Sequence, residues 1–150
     1  MGEYGQAMVG VINLDGKWLI EPTYSKLNPT ETEWLTAQSE EGMWGAIDWQ
    51  GKAVIPFEYV SVDYLGEGYW HLQSDYEESG SMIHETDPSQ LIALPVDCGI
   101  TYSSTVQQGS LIVMDSFYDY YGLLDLQGNW ILRPQYESIE SFQAVALSVK

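Results

Sequence analysis

The chain has 150 residues, of which 22 are acidic and five basic, for a formal net charge of −17. An apolar content of 45% is that of a folded protein, and this length supplies one domain with a real core. The charge repels DNA, RNA and anionic membrane surfaces and attracts a basic partner or a cation, at some cost in self-repulsion.

The N-terminal segment from Met1 to Met8 has neither the positive charge nor the long apolar run of a signal peptide. Gln6 stands where a myristoylation motif wants Ser or Thr. Nothing in the sequence is long and apolar enough for a bilayer span. Cys98 is the single cysteine, so no internal disulfide forms. Together these features predict a cytoplasmic protein.

Three blocks then recur with one internal spacing. They run from Gly10 through Gly16 to Tyr24, from Gly45 through Gly51 to Tyr59, and from Gly122 through Gly128 to Tyr136. In each, a second glycine follows after six residues and a tyrosine eight further on. Gly10 and Gly45 are 35 residues apart, whereas Gly45 and Gly122 are 77 apart, two periods and seven residues more. One period beyond Gly45 falls on Gly80, which predicts an eroded third copy. Its apolar run Leu91–Pro95 comes late, after an insertion around residues 86–90, and a second excess lies between Val96 and Ser110.

Within a block, apolar residues alternate as strands do: Ile12 and Leu14, then Trp18 and Ile20; Ile47 and Trp49, then Ala53 and Ile55; Leu124 and Leu126, then Trp130 and Leu132. The glycines Gly16, Gly51 and Gly128 suit tight hairpin turns that need positive φ. Asn13, Asp48 and Asp125 precede those turns, where a short polar side chain accepts turn amides. A third strand follows each block: Trp34–Ala37, Tyr69–Leu72 and Ala146–Val149, with Leu111–Met114 for the eroded copy. Pro22, Pro56 and Pro134 lie at strand ends, where a missing amide is tolerated. The expected fold is therefore all-β. It comprises four tandem repeats of about three short antiparallel strands, within a single domain over residues 1–150. The repeats fall approximately at 9–43, 44–78, 79–120 and 121–150. The tyrosines Tyr24, Tyr59 and Tyr136, with Trp18 and Trp130, are expected to be core.

The elements Trp44-Gly45-x-Ile47-Asp48-x-x-Gly51-Lys52-x-Val54-Ile55-Pro56-x-x-Tyr59 resemble the WG-repeat family of bacterial proteins. The likeness covers residues 9–150 as tandem copies. Repeat two carries the Trp-Gly pair itself, where the others have Val9-Gly10, Ser79-Gly80 and Tyr121-Gly122. The resemblance implies a β-hairpin repeat architecture and an interaction role, and brings no catalytic residues.

Acids gather before the repeat glycines. Glu40 and Glu41 precede Gly45; Asp75, Tyr76, Glu77 and Glu78 precede Gly80; Asp115, Phe117, Tyr118, Asp119, Tyr120 and Tyr121 precede Gly122. The plainer reading is a solvated rim. The functional one is an acidic, aromatic strip through Asp75, Tyr76, Glu77, Glu78, Asp115, Tyr118, Asp119 and Tyr120 that takes a basic protein. A concrete version is an immunity protein that neutralises a toxin such as a nuclease. The alternative is a small-ligand or glycan-binding repeat module. No cofactor motif, phosphate-binding loop or Gly-x-Ser-x-Gly appears. Asp75, Glu77 and Glu78 lack the EF-hand spacing, and His71, His84 and Cys98 are too few for zinc, so no metal is expected. A Cys-His nucleophile pair is conceivable from composition alone.

Overall fold

A computed structural model describes residues 7–101, 104–143 and 146–150. Among them are seventeen strands and no helix. The chain divides into two compact units, Met1–Asp63 and Tyr64–Lys150.

In the first unit, β1 (Val9–Ile12) and β2 (Trp18–Tyr24) form an antiparallel hairpin. Then β3 (Lys26–Pro29), β4 (Trp34–Gln38), β5 (Trp44–Asp48) and β6 (Ala53–Tyr59) form a four-stranded sheet in chain order. The boundary between units falls inside β7 (Ser61–Gly66), which continues into β8 (Tyr69–Gln73), β9 (Ser81–His84) and β10 (Asp87–Ala93) as a second such sheet. In the third sheet, β11 (Cys98–Gly99) and β12 (Val106–Gln107) both pair with β13 (Ser110–Asp115), followed by β14 (Tyr121–Asp125) and β15 (Trp130–Tyr136). A last hairpin joins β16 (Ile139–Gln143) to β17 (Ala146–Val149).

The sheets run out of phase with the sequence repeat. Each of the three regular repeats contributes one more strand than the sequence suggests: β3, β7 and β16 follow closely on the repeat tyrosines. A four-stranded sheet combines the closing strands of one repeat with the opening hairpin of the next. The crossover is short. Between β2 and β3 it is Ser25 alone, whose amide donates to the Gln38 carbonyl (2.8 Å) and whose hydroxyl donates to Ser39 (3.2 Å).

The repeat spacing has a direct geometric cause. Between the pairs Val9↔Tyr24 and Val11↔Ile20 the first strand advances two residues and the second four. The same step separates Trp44↔Tyr59 from Ala46↔Ile55, and Tyr121↔Tyr136 from Leu123↔Leu132. The second strand therefore bulges, and its carbonyl folds over the skipped residue of the first. That residue is Gly10, Gly45 or Gly122. A Cβ on Gly45 would lie 2.6 Å from the Ile55 oxygen, and one on Gly122 2.8 Å from the Leu132 oxygen; Gly10 faces Ile20 in the same way. The residue before each glycine then pairs across the bulge with the repeat tyrosine.

At the turns, the Oδ1 atoms of Asn13, Asp48 and Asp125 each accept two amides, two and four residues on, at 2.9–3.0 Å. Gly16, Gly51 and Gly128 adopt φ of 81°, 82° and 85°. The turn reading of these residues is thus what the structure contains.

In the third copy the period and the register disagree by one residue. Gly45 pairs with Ala37 of the preceding strand, and the residue in the matching place is Ser81, opposite Leu72. Gly80, picked out by counting, stands one position earlier. The reason is one extra residue in the β8–β9 connection: Leu72 and Ser81 are nine positions apart, Ala37 and Gly45 eight. The bulge has also moved toward the turn: between His84↔Asp87 and Met82↔Ile92, β9 advances two residues and β10 five. Ser81 pairs regularly with Ala93, so no carbonyl excludes its side chain.

The inner strands β4, β5, β8 and β14 each bury three consecutive residues rather than alternate ones. Both of their faces are covered. In the first unit Ile20, Leu35 and Ile47 form the centre, with Val11, Tyr24, Leu27 and Phe57 around them. In the second, Leu65, Met82, Leu94, Cys98, Val106, Leu111, Val113 and Leu124 cluster together. Each such buried Leu or Ile contributes about 1.5–3 kcal/mol. The expected aromatic core is only partly realised. Trp130 packs against the second cluster and Tyr24 stacks on Phe57 at 5.6 Å, but Trp18 is half exposed and Leu14 fully so. Trp18 lies on a hairpin whose sheet has only two strands, so it gains no cover within that sheet; Leu14, read from alternation as part of the first strand, lies in the turn beyond Ile12.

Gly45→Ala should destabilise the protein by at least about 2 kcal/mol in denaturant unfolding, because backbone must move. Gly51→Ala, with open space around its Cβ but positive φ, should cost only about 1 kcal/mol.

The Asp125 carboxyl is held below its ordinary value, chiefly by the Asn129 amide, with desolvation opposing it and the Gln127 amide, the Asn129 side chain and the Gly128 amide adding to the fall. A lowered folded-state value means stabilisation present above the ordinary carboxylate range and lost as pH falls through the folded value. Asp125→Asn keeps the turn acceptor, as Asn13 does. Its melting temperature should therefore fall less than that of the unsubstituted protein between about pH 7 and about pH 3.

Candidate interaction surface

Two of the acidic loops lie in the second unit. In the loop joining β8 to β9, the Asp75 carboxylate accepts the Glu77 amide (2.9 Å), and the Glu78 amide donates to the Asp75 carbonyl (3.1 Å). The Gln73 side chain ties the far side by donating to the Glu78 carbonyl (2.7 Å). This local bonding presents Tyr76 at 76% exposure. In the loop joining β13 to β14, the Asp115 carboxylate accepts the Tyr118 amide (2.8 Å), and its own amide donates to the Tyr120 carbonyl (2.9 Å). Phe117 and Tyr118 are 70% and 75% exposed, their rings tilted together at 6.4 Å; Tyr120 is also exposed, Tyr121 half-buried.

A segment that sequence reasoning did not single out joins these loops. The Cys98 amide donates to the Ser79 hydroxyl (3.2 Å), Cys98 pairs with Asp115 across the sheet, and the Ser116 amide donates to the Asp97 carbonyl (2.9 Å). Val96 is 84% exposed and Asp97 is exposed with φ of 60°. The strip therefore runs from Asp75–Glu78 through Val96–Asp97 to Asp115–Asp119. The only signal for the middle piece was the excess of residues after Val96. Glu40 and Glu41 occupy the corresponding turn of the first unit, where Gly42 and Met43 amides bond back to Ser39.

No lysine or arginine occurs between Lys52 and Arg133.

Cys98 and the two histidines each bond to other groups. The Cys98 thiol is buried and donates to the Pro95 carbonyl (3.1 Å). Burial pushes it up to about 11, with Asp97 adding to the rise and the Ser79 hydrogen bond opposing it. His71 is buried, with Nε2 2.8 Å from the Ser79 carbonyl oxygen. His84 bonds to Thr86 and to the Glu67 carbonyl. Among the described residues, no three of His, Cys, Asp and Glu are grouped to hold a metal ion.

A family model described as WG containing repeat matches residues 10–32, 44–69 and 121–144. The chain belongs to the WG-repeat family. The three matched WG segments are the three hairpins whose bulges close over Gly10, Gly45 and Gly122, and the match passes over residues 70–120, where the bulge has moved. No curated protein and no solved structure matches the chain.

At neutral pH Cys98 should react with an aromatic disulfide reagent more than about a hundredfold slower in the native WG-repeat protein than in urea. Equal rates would show that the thiol is open to solvent and ionised.

Proposed function

We propose that this WG-repeat chain is a non-enzymatic interaction module whose acidic, aromatic strip captures a basic protein partner. The carrying observation is the pairing of exposed rings with carboxylates on hydrogen-bonded loops. Tyr76, Phe117, Tyr118 and Tyr120 supply contact area at low entropic cost. Asp75, Glu77, Glu78, Asp97, Asp115 and Asp119 supply the field that speeds encounter and the acceptors that arginine and lysine need. Large exposed rings do nothing for solubility, so a purely solubilising rim accounts for the acids but not for the aromatics.

In its concrete form the module is a cytoplasmic immunity protein that covers the nucleic-acid groove of a toxin nuclease. Such a groove is basic because it must neutralise phosphates, and a strip of carboxylates matches it in sign. Preformed loops reduce the ordering cost of binding.

The test is association kinetics with a basic protein encoded beside this chain. The on-rate should fall at least about tenfold between low and physiological salt. Reversing charge at Asp75, Glu77 and Glu78 together should slow association by a similar factor, leaving the melting temperature nearly unchanged. Binding that ignores both salt and these three residues overturns the proposal.

A further inference from the structure

The displaced bulge of the third copy opens a cleft of about 550 Å³. It lies at the end of the second unit's sheets where β9 turns into β10, whereas the acidic strip occupies the β8–β9 and β13–β14 turns. Residues 88–91 of β10 bulge from the pairing between His84↔Asp87 and Met82↔Ile92. The β14–β15 turn forms the facing wall, with Gly128 so close to Ala93 that a Cβ there would lie 2.7 Å from its carbonyl oxygen. This volume is in the range of small-ligand sites.

The lining has a consistent chemical character. Ile92 and Leu126 give an aliphatic floor that continues into the core. The Tyr69 ring stands edge to face with His84 at 4.6 Å. His84 Nδ1 lies 2.7 Å from the Thr86 hydroxyl and Nε2 lies 3.1 Å from the Glu67 carbonyl oxygen, so the ring is held on both sides. Asp87 takes the Ser89 hydroxyl on one oxygen (2.7 Å). The Gln90 and Gln127 side chains line the rim and make no hydrogen bond inside the protein among the described residues.

The cleft thus offers a carboxylate, two carboxamide oxygens and an aromatic ring, with no lysine or arginine in its lining. An anion would meet repulsion from Asp87 and from the net charge of −17. A neutral sugar would gain nothing from that field. A donor-only, planar or compact cation gains from the carboxylate, the amide oxygens and the ring face together. We propose that this cleft binds a guanidinium or alkylammonium group, carried either by a free small molecule or by an arginine side chain. The site does not depend on the acidic strip and would exist whether or not the strip has a protein partner.

The test is a ¹⁵N-¹H titration of the whole chain with three probes: agmatine, a blocked Gly-Arg-Gly peptide, and glucose. Sodium chloride at matched ionic strength serves as the blank. Agmatine or the peptide should shift the amides of residues 87–93 and 126–127 with millimolar or better affinity, and glucose should not. Tighter binding of the peptide assigns the group to a protein chain; tighter binding of agmatine assigns it to a free ligand. Asp87→Asn, at an exposed position, should weaken either cation about fivefold. Neutralising Asp75, Glu77 and Glu78 should leave the affinity within about twofold, which separates this site from the strip. No localised shifts with either cation, an unchanged affinity in Asp87→Asn, or equal binding of glucose overturns the proposal.

Discussion

The architecture depends on one close approach: a carbonyl of the second strand in each opening hairpin lies directly over the first glycine of the repeat. The contact forces a bulge, the bulge sets where Tyr24, Tyr59 and Tyr136 pair, and those tyrosines mark where the chain leaves one sheet for the next. A Cβ at Gly45 would sit 2.6 Å from the Ile55 oxygen, well inside any allowed contact. The constraint is steric and involves only backbone on one side, so no rotamer change relieves it. Conformational freedom at positive φ belongs to the other glycine, Gly51, at the turn. Two glycines six residues apart thus serve different physical needs.

Where this constraint is relaxed, the molecule does something else. In the third copy the excess residues enter after His84, the bulge shifts with them, and Ser81 takes the place a glycine holds elsewhere. The family match stops over the same stretch. Both surfaces of interest in the second unit depend on it. The bulged residues 88–91 open the cleft, and the segment at residues 94–98 links the two acidic loops through Ser79 and Asp115. Regular repetition builds the sheets, and its local failure shapes their ends.

The acidic loops illustrate how far sequence reaches into a surface. Asp75 and Asp115 each combine a carboxylate that accepts a nearby amide with rings placed one or more residues on. Such local bonding is legible, because it involves residues within three positions of each other. The bridging of the two loops by Val96–Asp97 was not legible. It rests on hydrogen bonds between residues 79 and 98 and between 97 and 116, whose separations carry no pattern. Likewise, the sequence suggested Trp18 as a core residue, yet its place on a two-stranded hairpin leaves it half exposed. Alternation reports which residues share a face, whereas cover depends on what packs against that face.

By itself the sequence determined the all-β class, the opening hairpins of the three regular blocks, the glycine turns with their Asn13, Asp48 and Asp125 acceptors, and the family. All of these follow from interactions inside a window of some fifteen residues, which repetition then writes out several times. Only the tertiary structure decided the phase of the sheets against the repeat, the one-residue slip at Ser81, the burial of inner strands on both faces, and the cleft beside His84. Each of these arises from pairing between strands of different repeats or from the packing of one sheet on its neighbours. Local sequence has no means of encoding such contacts where the repeat is broken.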